Sequence, residues 1–216
     1  QLNDCWPVAS WSSIDYEGHW KALHYQLREA YANIAIAPKH ISNQEIDLYL
    51  VNDAIHDVSG KVVWQLMTLN GEKLYEKVTP SVVIKTNSSK KIAVCKINEM
   101  ANAIGKHIDT CNVVLHAQYI VGNKVLAQRT CYFAKPGHLK FGKSAIQQKI
   151  EYFDDHFVIT LTSPTLQYGV CISETSGKNV KFSDNYFDLL PNQPRKIVGY
   201  YDLTLEGKPT LRIEKL

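Results

Sequence analysis

Paired metal-binding spacings are missing from this 216-residue chain. Its five cysteines, Cys5, Cys95, Cys111, Cys131 and Cys171, are odd in number and include no Cys-x-x-Cys. The eight histidines form no His-x-His or His-x₃-His pair. A zinc site is therefore not expected, and no other metal or cofactor is called for. Cys95, Cys111 and Cys131 fall in alternating segments. Free thiols acting as small buried hydrophobes are the simpler expectation there, with one bridge among the three as the alternative. Excess charge of one sign is also scarce. The net charge is +3 and the longest basic run is Lys90-Lys91, which argues against a nucleic-acid partner. No apolar run approaches the ~18 residues a membrane helix needs, so no membrane partner is expected. Repeats and low-complexity stretches are absent.

What is present is an ordinary globular composition, 45% apolar and 21% charged, organised mostly as short alternating segments. Over 41–134, Ile46, Leu48 and Leu50 alternate with Glu45, Asp47 and Tyr49, predicting a strand with one buried face. Val62 to Met67 is followed by Asn70-Gly71, the signal of a type I′ hairpin. The return strand from Lys73 to Lys85 carries Tyr75, Val78, Val82 and Ile84. Lys90 to Ile97 reads as another strand. Val113, Leu115, Ala117 and Tyr119 turn at Gly122-Asn123 and return through Val125, Ala127 and Cys131. About seven strands at this spacing predict an immunoglobulin-like sandwich, with Trp64 as its buried tryptophan and no evident disulfide beside it.

Residues 135–143 read as a linker, because Pro136, Gly137 and Gly142 interrupt any strand. A second, smaller sandwich follows. Ile146 to Phe153 turns at Asp154-Asp155 into Phe157, Ile159 and Leu161. Further strands run through Tyr168, Val170 and Ile172, through Tyr186 to Leu190, through Ile197 to Tyr201, and through Leu211 and Ile213. Adjacent strand residues point to opposite faces, so Tyr186-Phe187 and Tyr200-Tyr201 should each expose at most one ring. Asp184, Asn185 and Asp188 could offer oxygens to calcium. Turn residues of this kind more commonly satisfy themselves through Asx hydrogen bonds.

The opening differs from everything after it. Trp20, Leu23, Leu27, Ala30, Tyr31 and Ile34 fall at i, i+3, i+7, i+10, i+11 and i+14, predicting a helix over about 20–34 with an apolar stripe. Lys21, Gln26, Arg28 and Glu29 lie off that stripe. One strand, one turn and one helix cannot form a core alone. The segment therefore reads as the last βα unit of a larger α/β domain whose earlier part lies outside this chain.

Two segments carry a family resemblance. Gln1-Leu2-Asn3-Asp4-Cys5-Trp6-Pro7, with Ser10-Trp11-Ser12-Ser13-Ile14-Asp15-Tyr16 and Trp20-Lys21-Ala22-Leu23-His24-Tyr25, resembles the end of the catalytic barrel in β-mannosidases of glycoside hydrolase family 2. Phe182-Ser183-Asp184-Asn185-Tyr186-Phe187-Asp188-Leu189-Leu190-Pro191 resembles the signature of the last β-sandwich of the same enzymes. The resemblance implies a mainly β chain: two immunoglobulin-like β-sandwiches, 35–137 and 138–216, preceded over 1–34 by a terminal βα unit of a truncated TIM barrel.

It implies the C-terminal part of an exo-acting retaining β-mannosidase that removes terminal non-reducing β-D-mannose. Its partners would be the missing N-terminal and barrel domains of the same polypeptide and a β-mannoside substrate. The intact enzyme would be periplasmic, secreted or lysosomal. No catalytic residue is expected in this chain. A retaining enzyme needs two carboxylates about 5–5.5 Å apart, and the first 33 residues hold only the glutamates Glu17 and Glu29, one in a turn and one on the polar helix face. The substrate-binding candidates are Trp6 and Asp4. Past the end of a barrel strand, Trp6 offers a flat apolar face to the C–H patch of a sugar ring. Asp4 either binds a sugar hydroxyl or fixes the Trp6-Pro7 turn. Trp11, Trp20 and Tyr25 are expected to pack the helix. The alternative function is a carbohydrate-binding or immunoglobulin-like interaction module without catalysis.

Overall fold

The computed structural model describes residues 1–201 and 207–215. The chain divides into two compact units: Ala30–Gly142, and Gln1–Glu29 together with Lys143–Leu216. Among the described residues each carries its own sandwich of seven strands, three in one sheet and four in the other.

The N-terminal segment contains no extended strand. Asn3 makes one parallel bridge to Ile14, and Ile14 one antiparallel bridge to Trp20. A lone parallel segment has no flanking strands to complete its ladder, so the strand expected at the start is reduced to these contacts. The helix is also shorter than its spacing predicts. α1 spans Ala22–Ala30, and Ile34 already opens a strand. Tyr25, 6% exposed, is its one buried residue, while Leu23 of the expected stripe is 48% exposed and Tyr31 lies past the helix end at 79%. Leu23 and Tyr31 of the expected stripe thus face solvent, and Tyr25, which lies off it, is the residue that packs inward.

In the unit Ala30–Gly142 the strands are β1 (Ile34–Ser42), β2 (Glu45–Asn52), β3 (Val58–Thr68), β4 (Lys73–Ile84), β5 (Ser88–Lys96), β6 (Val113–Val121) and β7 (Lys124–Cys131). All pairings are antiparallel, in the orders β1-β2-β5 and β4-β3-β6-β7. Ile46, Leu48 and Leu50 are fully buried as their alternation predicts, and Trp64 is 4% exposed with its ring 5.3 Å from that of Tyr75. Tyr119 is fully buried; its hydroxyl lies 3.1 Å from the Val58 carbonyl and 2.9 Å from that of Val82.

Several local expectations are corrected. Val78 is 51% exposed, unlike Val82 and Ile84. The register slips where Gly60 pairs with Val82 but Val62 with Thr79, so Pro80-Ser81 forms a bulge that reverses which side chains point inward. A type I′ turn needs positive φ at both central residues. Gly71 has φ 91° but Asn70 is not positive, and the chain instead closes with Gly71 N–H on the Thr68 carbonyl at 2.9 Å. Ile97–Ile104 forms a helix, α2, so Ile97, expected to end a strand, opens a helix instead. Ile97, Met100, Ala101 and Ile104 lie along one side, and Gly105 ends it at φ 66°. The linker region is partly pinned, with Leu139 buried and Lys140 N–H on the Cys111 carbonyl at 2.8 Å.

The second sandwich consists of β8 (Gln147–Tyr152), β9 (His156–Thr162), β10 (Gln167–Glu174), β11 (Val180–Phe182), β12 (Phe187–Leu189), β13 (Arg195–Tyr201) and β14 (Leu211–Lys215). Its sheets are β11-β13-β9-β8 and β12-β10-β14. Phe157, Ile159, Leu161, Val170 and Ile197 form a core without measurable exposure. Phe187 is buried and Tyr200 half-exposed, one ring of each tandem pair facing in. All five cysteines are free thiols; burial pushes Cys95 and Cys131 up to about 12.

Candidate functional site

The two substrate-binding candidates sit on one loop in opposite circumstances. Trp6 is 66% exposed, whereas Asp4 is 2% exposed. The Asp4 carboxylate takes a hydrogen bond from Lys21 Nζ at 2.7 Å on Oδ2 and another from the Ser10 hydroxyl on Oδ1. Lys21 Nζ also donates to Ser12 Oγ at 2.8 Å. The Lys21 ammonium, then the Ser10 hydroxyl, hold the Asp4 carboxyl below its ordinary value of 3.8. Asp4 faces inward and fixes the loop that carries Trp6; its oxygens are not presented to solvent.

The backbone completes this anchor. Asp4 N–H bonds the Ile14 carbonyl at 3.1 Å, and Ser13 and Ile14 N–H both reach the Leu2 carbonyl. Just before α1, Lys21 N–H donates to the Ser13 carbonyl at 2.9 Å, and His24 Nδ1 lies 3.1 Å from Ser13 Oγ. The loop thus hangs on the first turn of the helix.

The other carboxylates near this end serve a turn. His19 Nδ1 lies 3.0 Å from Asp15 Oδ2 and 3.6 Å from Glu17 Oε2. Burial pushes Asp15 up, but N–H groups of His19 and Glu17 and the His19 ring hold it below its ordinary value. That is the reverse of what a general acid requires.

At its far end α1 meets the 183–186 loop. Arg28 donates to the Ser183 carbonyl and to Asp184 Oδ1, the latter at 2.8 Å. Arg195 pairs with the other Asp184 oxygen, and Gln26 donates to the Tyr186 carbonyl at 3.0 Å. Tyr25 places its ring 5.9 Å from that of Tyr186. The three residues weighed for calcium therefore diverge: Asp184 binds arginines, Asn185 binds the Ile172 backbone, and Asp188 accepts from Gly169 N–H. Among the described residues no His, Cys, Asp or Glu cluster could hold a metal.

Beside this contact a cleft of about 760 Å³ is walled by Trp20, Tyr25, Lys178, Phe182, Tyr186 and Tyr200. Sequence reasoning placed Lys21 and Arg28 on a polar helix face and gave neither a role. Their partners lie far along the chain, and no local spacing points to them.

Residues 44–138 match the family described as Mannosidase Ig/CBM-like domain, and residues 141–213 the family described as Ig-fold domain. The chain is 26% identical over 212 residues to Beta-mannosidase A of Aspergillus terreus, covering 91% of this chain and 22% of that protein. It is 37% identical over 75 residues to Beta-mannosidase A of Aspergillus flavus, covering 34% of this chain and 8% of that protein. The Beta-D-Mannosidase of Dictyoglomus thermophilum has the same fold over 100% of this chain and 25% of its own, with TM-score 0.79 and 24% identity. The exo-chitosanase CsxA of Amycolatopsis orientalis covers 99% of this chain and 29% of its own, with TM-score 0.72 and 15% identity. Where it aligns along most of its length, the chain spans between 22% and 29% of these proteins.

Proposed function

We propose, from the two domain matches and the likeness to β-mannosidases, that this chain is the C-terminal part of an exo-acting retaining β-mannosidase acting on terminal non-reducing β-D-mannose. In this reading residues 1–34 complete the catalytic barrel, and 35–137 and 138–216 are accessory sandwiches. The catalytic glutamates lie in the preceding part of the polypeptide, and this chain alone is inactive.

One observation carries the reading. Large apolar side chains are exposed along the opening segment: Leu2 at 63%, Val8 at 52%, Trp11 at 80% and Tyr16 at 55%. Several large apolar side chains left exposed within sixteen residues support a contact with another part of the polypeptide, and a preceding barrel is the partner that would cover them. Trp6 is then the sugar platform at the barrel mouth, and Asp4 acts through the loop it anchors. The short span relative to the β-mannosidase relatives supports the same view.

The CBM-like description of the 44–138 match favours a second reading, a carbohydrate-binding module without catalysis. An assay with an aryl β-mannoside separates the two. The longer polypeptide containing this chain should hydrolyse it with retention at the anomeric carbon, and this chain alone should match the buffer blank. Inversion, or turnover by this chain alone, would refute the proposal. Oligomannoside binding by 44–138 with no hydrolysis by the longer polypeptide would establish the second reading.

A further inference from the structure

The 183–186 loop is built as a rigid acceptor for α1, and its role is not explained by the sandwich core. Ser183 is tied to β13 at both ends, its N–H on the Val198 carbonyl at 2.7 Å and its hydroxyl accepting from Val198 N–H at 2.9 Å. Asn185, 5% exposed, bonds both backbone groups of Ile172 on β10, at 2.8 and 2.7 Å. Tyr186 holds φ 55°, a left-handed conformation that a bulky residue adopts only when its surroundings impose it. So fixed, the loop presents the Ser183 and Tyr186 carbonyls and the Asp184 carboxylate to Gln26 and Arg28. Arg195 holds the second carboxylate oxygen. Arg28 stands in the last turn of α1, where a cation also meets the helix's negative end.

The opposite end of the same helix holds the Trp6 loop, through Lys21 on Asp4 and Ser12 and through Lys21 N–H on Ser13. A nine-residue helix is a stiff rod. We infer that Asp184, on the C-terminal sandwich, is a positioning residue for Trp6: it fixes α1 through Arg28, and α1 fixes the Trp6 loop through Lys21 and Asp4. This rests on the reading of Trp6 as the sugar platform proposed above. It gives the last sandwich a part in substrate recognition at a distance from the sugar.

The test uses the longer polypeptide, an aryl β-mannoside, and the variants Asp184→Asn, Asp184→Glu, Trp6→Ala and Asp184→Asn with Trp6→Ala. Misplacing a binding group by a fraction of an ångström should lower kcat/KM on the order of tenfold in Asp184→Asn. Asp184→Glu should recover part of the loss. In the Trp6→Ala background Asp184→Asn should change little further, because the group it positions is gone. Arg28→Gln, which leaves the Arg195 pair intact, should reproduce the loss if Asp184→Asn folds poorly. In parallel, amide exchange of this chain should show protection at Asp4, Ser13 and Ile14 falling on the order of tenfold in Asp184→Asn, with β9 unchanged. Unchanged kcat/KM, or the same loss with and without Trp6, overturns the inference. If the wild-type longer polypeptide does not cleave the mannoside, the functional reading fails and the positioning role with it. The exchange data would then still decide whether the helix couples the two ends.

Discussion

At the scale of single residues, exposure and partners separate roles that residue type alone leaves open. Trp6 and Asp4 are neighbours in sequence, yet one is largely exposed and the other buried. The sequence leaves both roles of Asp4 open, because the Lys21 pairing that supports the loop-fixing one is reached only once the helix folds back. The pairing has a pH signature. The Asp4 carboxyl is held below 3.8, so its contribution to folding is fully present above about pH 4 and is lost as pH falls through the lower folded value. Amide protection over 2–14 should therefore be flat from neutral pH to about pH 5 and collapse at more acid pH. In Asp4→Asn it should be weak throughout, and a wild-type profile in that variant would contradict the assignment. Tyr119 supplies a second residue-scale test. Its single O–H is shared between the Val58 and Val82 carbonyls, and removing it takes away that buried donor, so Tyr119→Phe should cost about 1–3 kcal/mol in chemical denaturation.

At the scale of elements, simple alternation was legible and its interruptions were not. β9 buries the residues that a period of two selects, whereas β6 is buried on both faces from Val113 to Ala117 and β2 buries Asp47 along with Ile46, Leu48 and Leu50. β4 breaks the period, because Pro80 sits in a bulge, and periodicity read along one strand cannot see a slip against its partner. α1 is a subtler case. Its helical period was readable, but its aromatic stripe resembles a buried face, and only Tyr25 is buried. α2 had a signal, an apolar spacing ended by Gly105, which the surrounding strand pattern obscured. One element-scale prediction concerns β13. A Cβ at Gly199 would meet the Phe157 ring at 2.1 Å, and Phe157 is fully buried. Gly199→Ala should destabilise the second sandwich by about 1–3 kcal/mol or more, measured as a lowered denaturation midpoint. Tolerance without loss would mean that Phe157 has room to move.

At the scale of the whole molecule, strand number and spacing made two sandwiches legible. The pairing orders were not, since a sequence does not state which strands become neighbours. The grouping of Gln1–Glu29 with Lys143–Leu216 was equally hidden, because it depends on Arg28, Gln26 and Tyr25 meeting residues far downstream. The exposed apolar opening segment has a consequence for the isolated chain. Burying a Trp or Leu side chain is worth roughly 1.5–3 kcal/mol, so the chain should self-associate as its concentration rises, and Trp11→Ser with Leu2→Ser should reduce this in light scattering.

The central claim, that this chain completes a mannose-binding site, is tested most directly by kcat/KM of the longer polypeptide for an aryl β-mannoside, with and without Trp6→Ala. Loss of a stacking platform should lower it on the order of tenfold, Trp6→Phe should recover part, and the melting temperature should hold because Trp6 is exposed within its own unit. Equal specificity constants for wild type and Trp6→Ala would contradict the account.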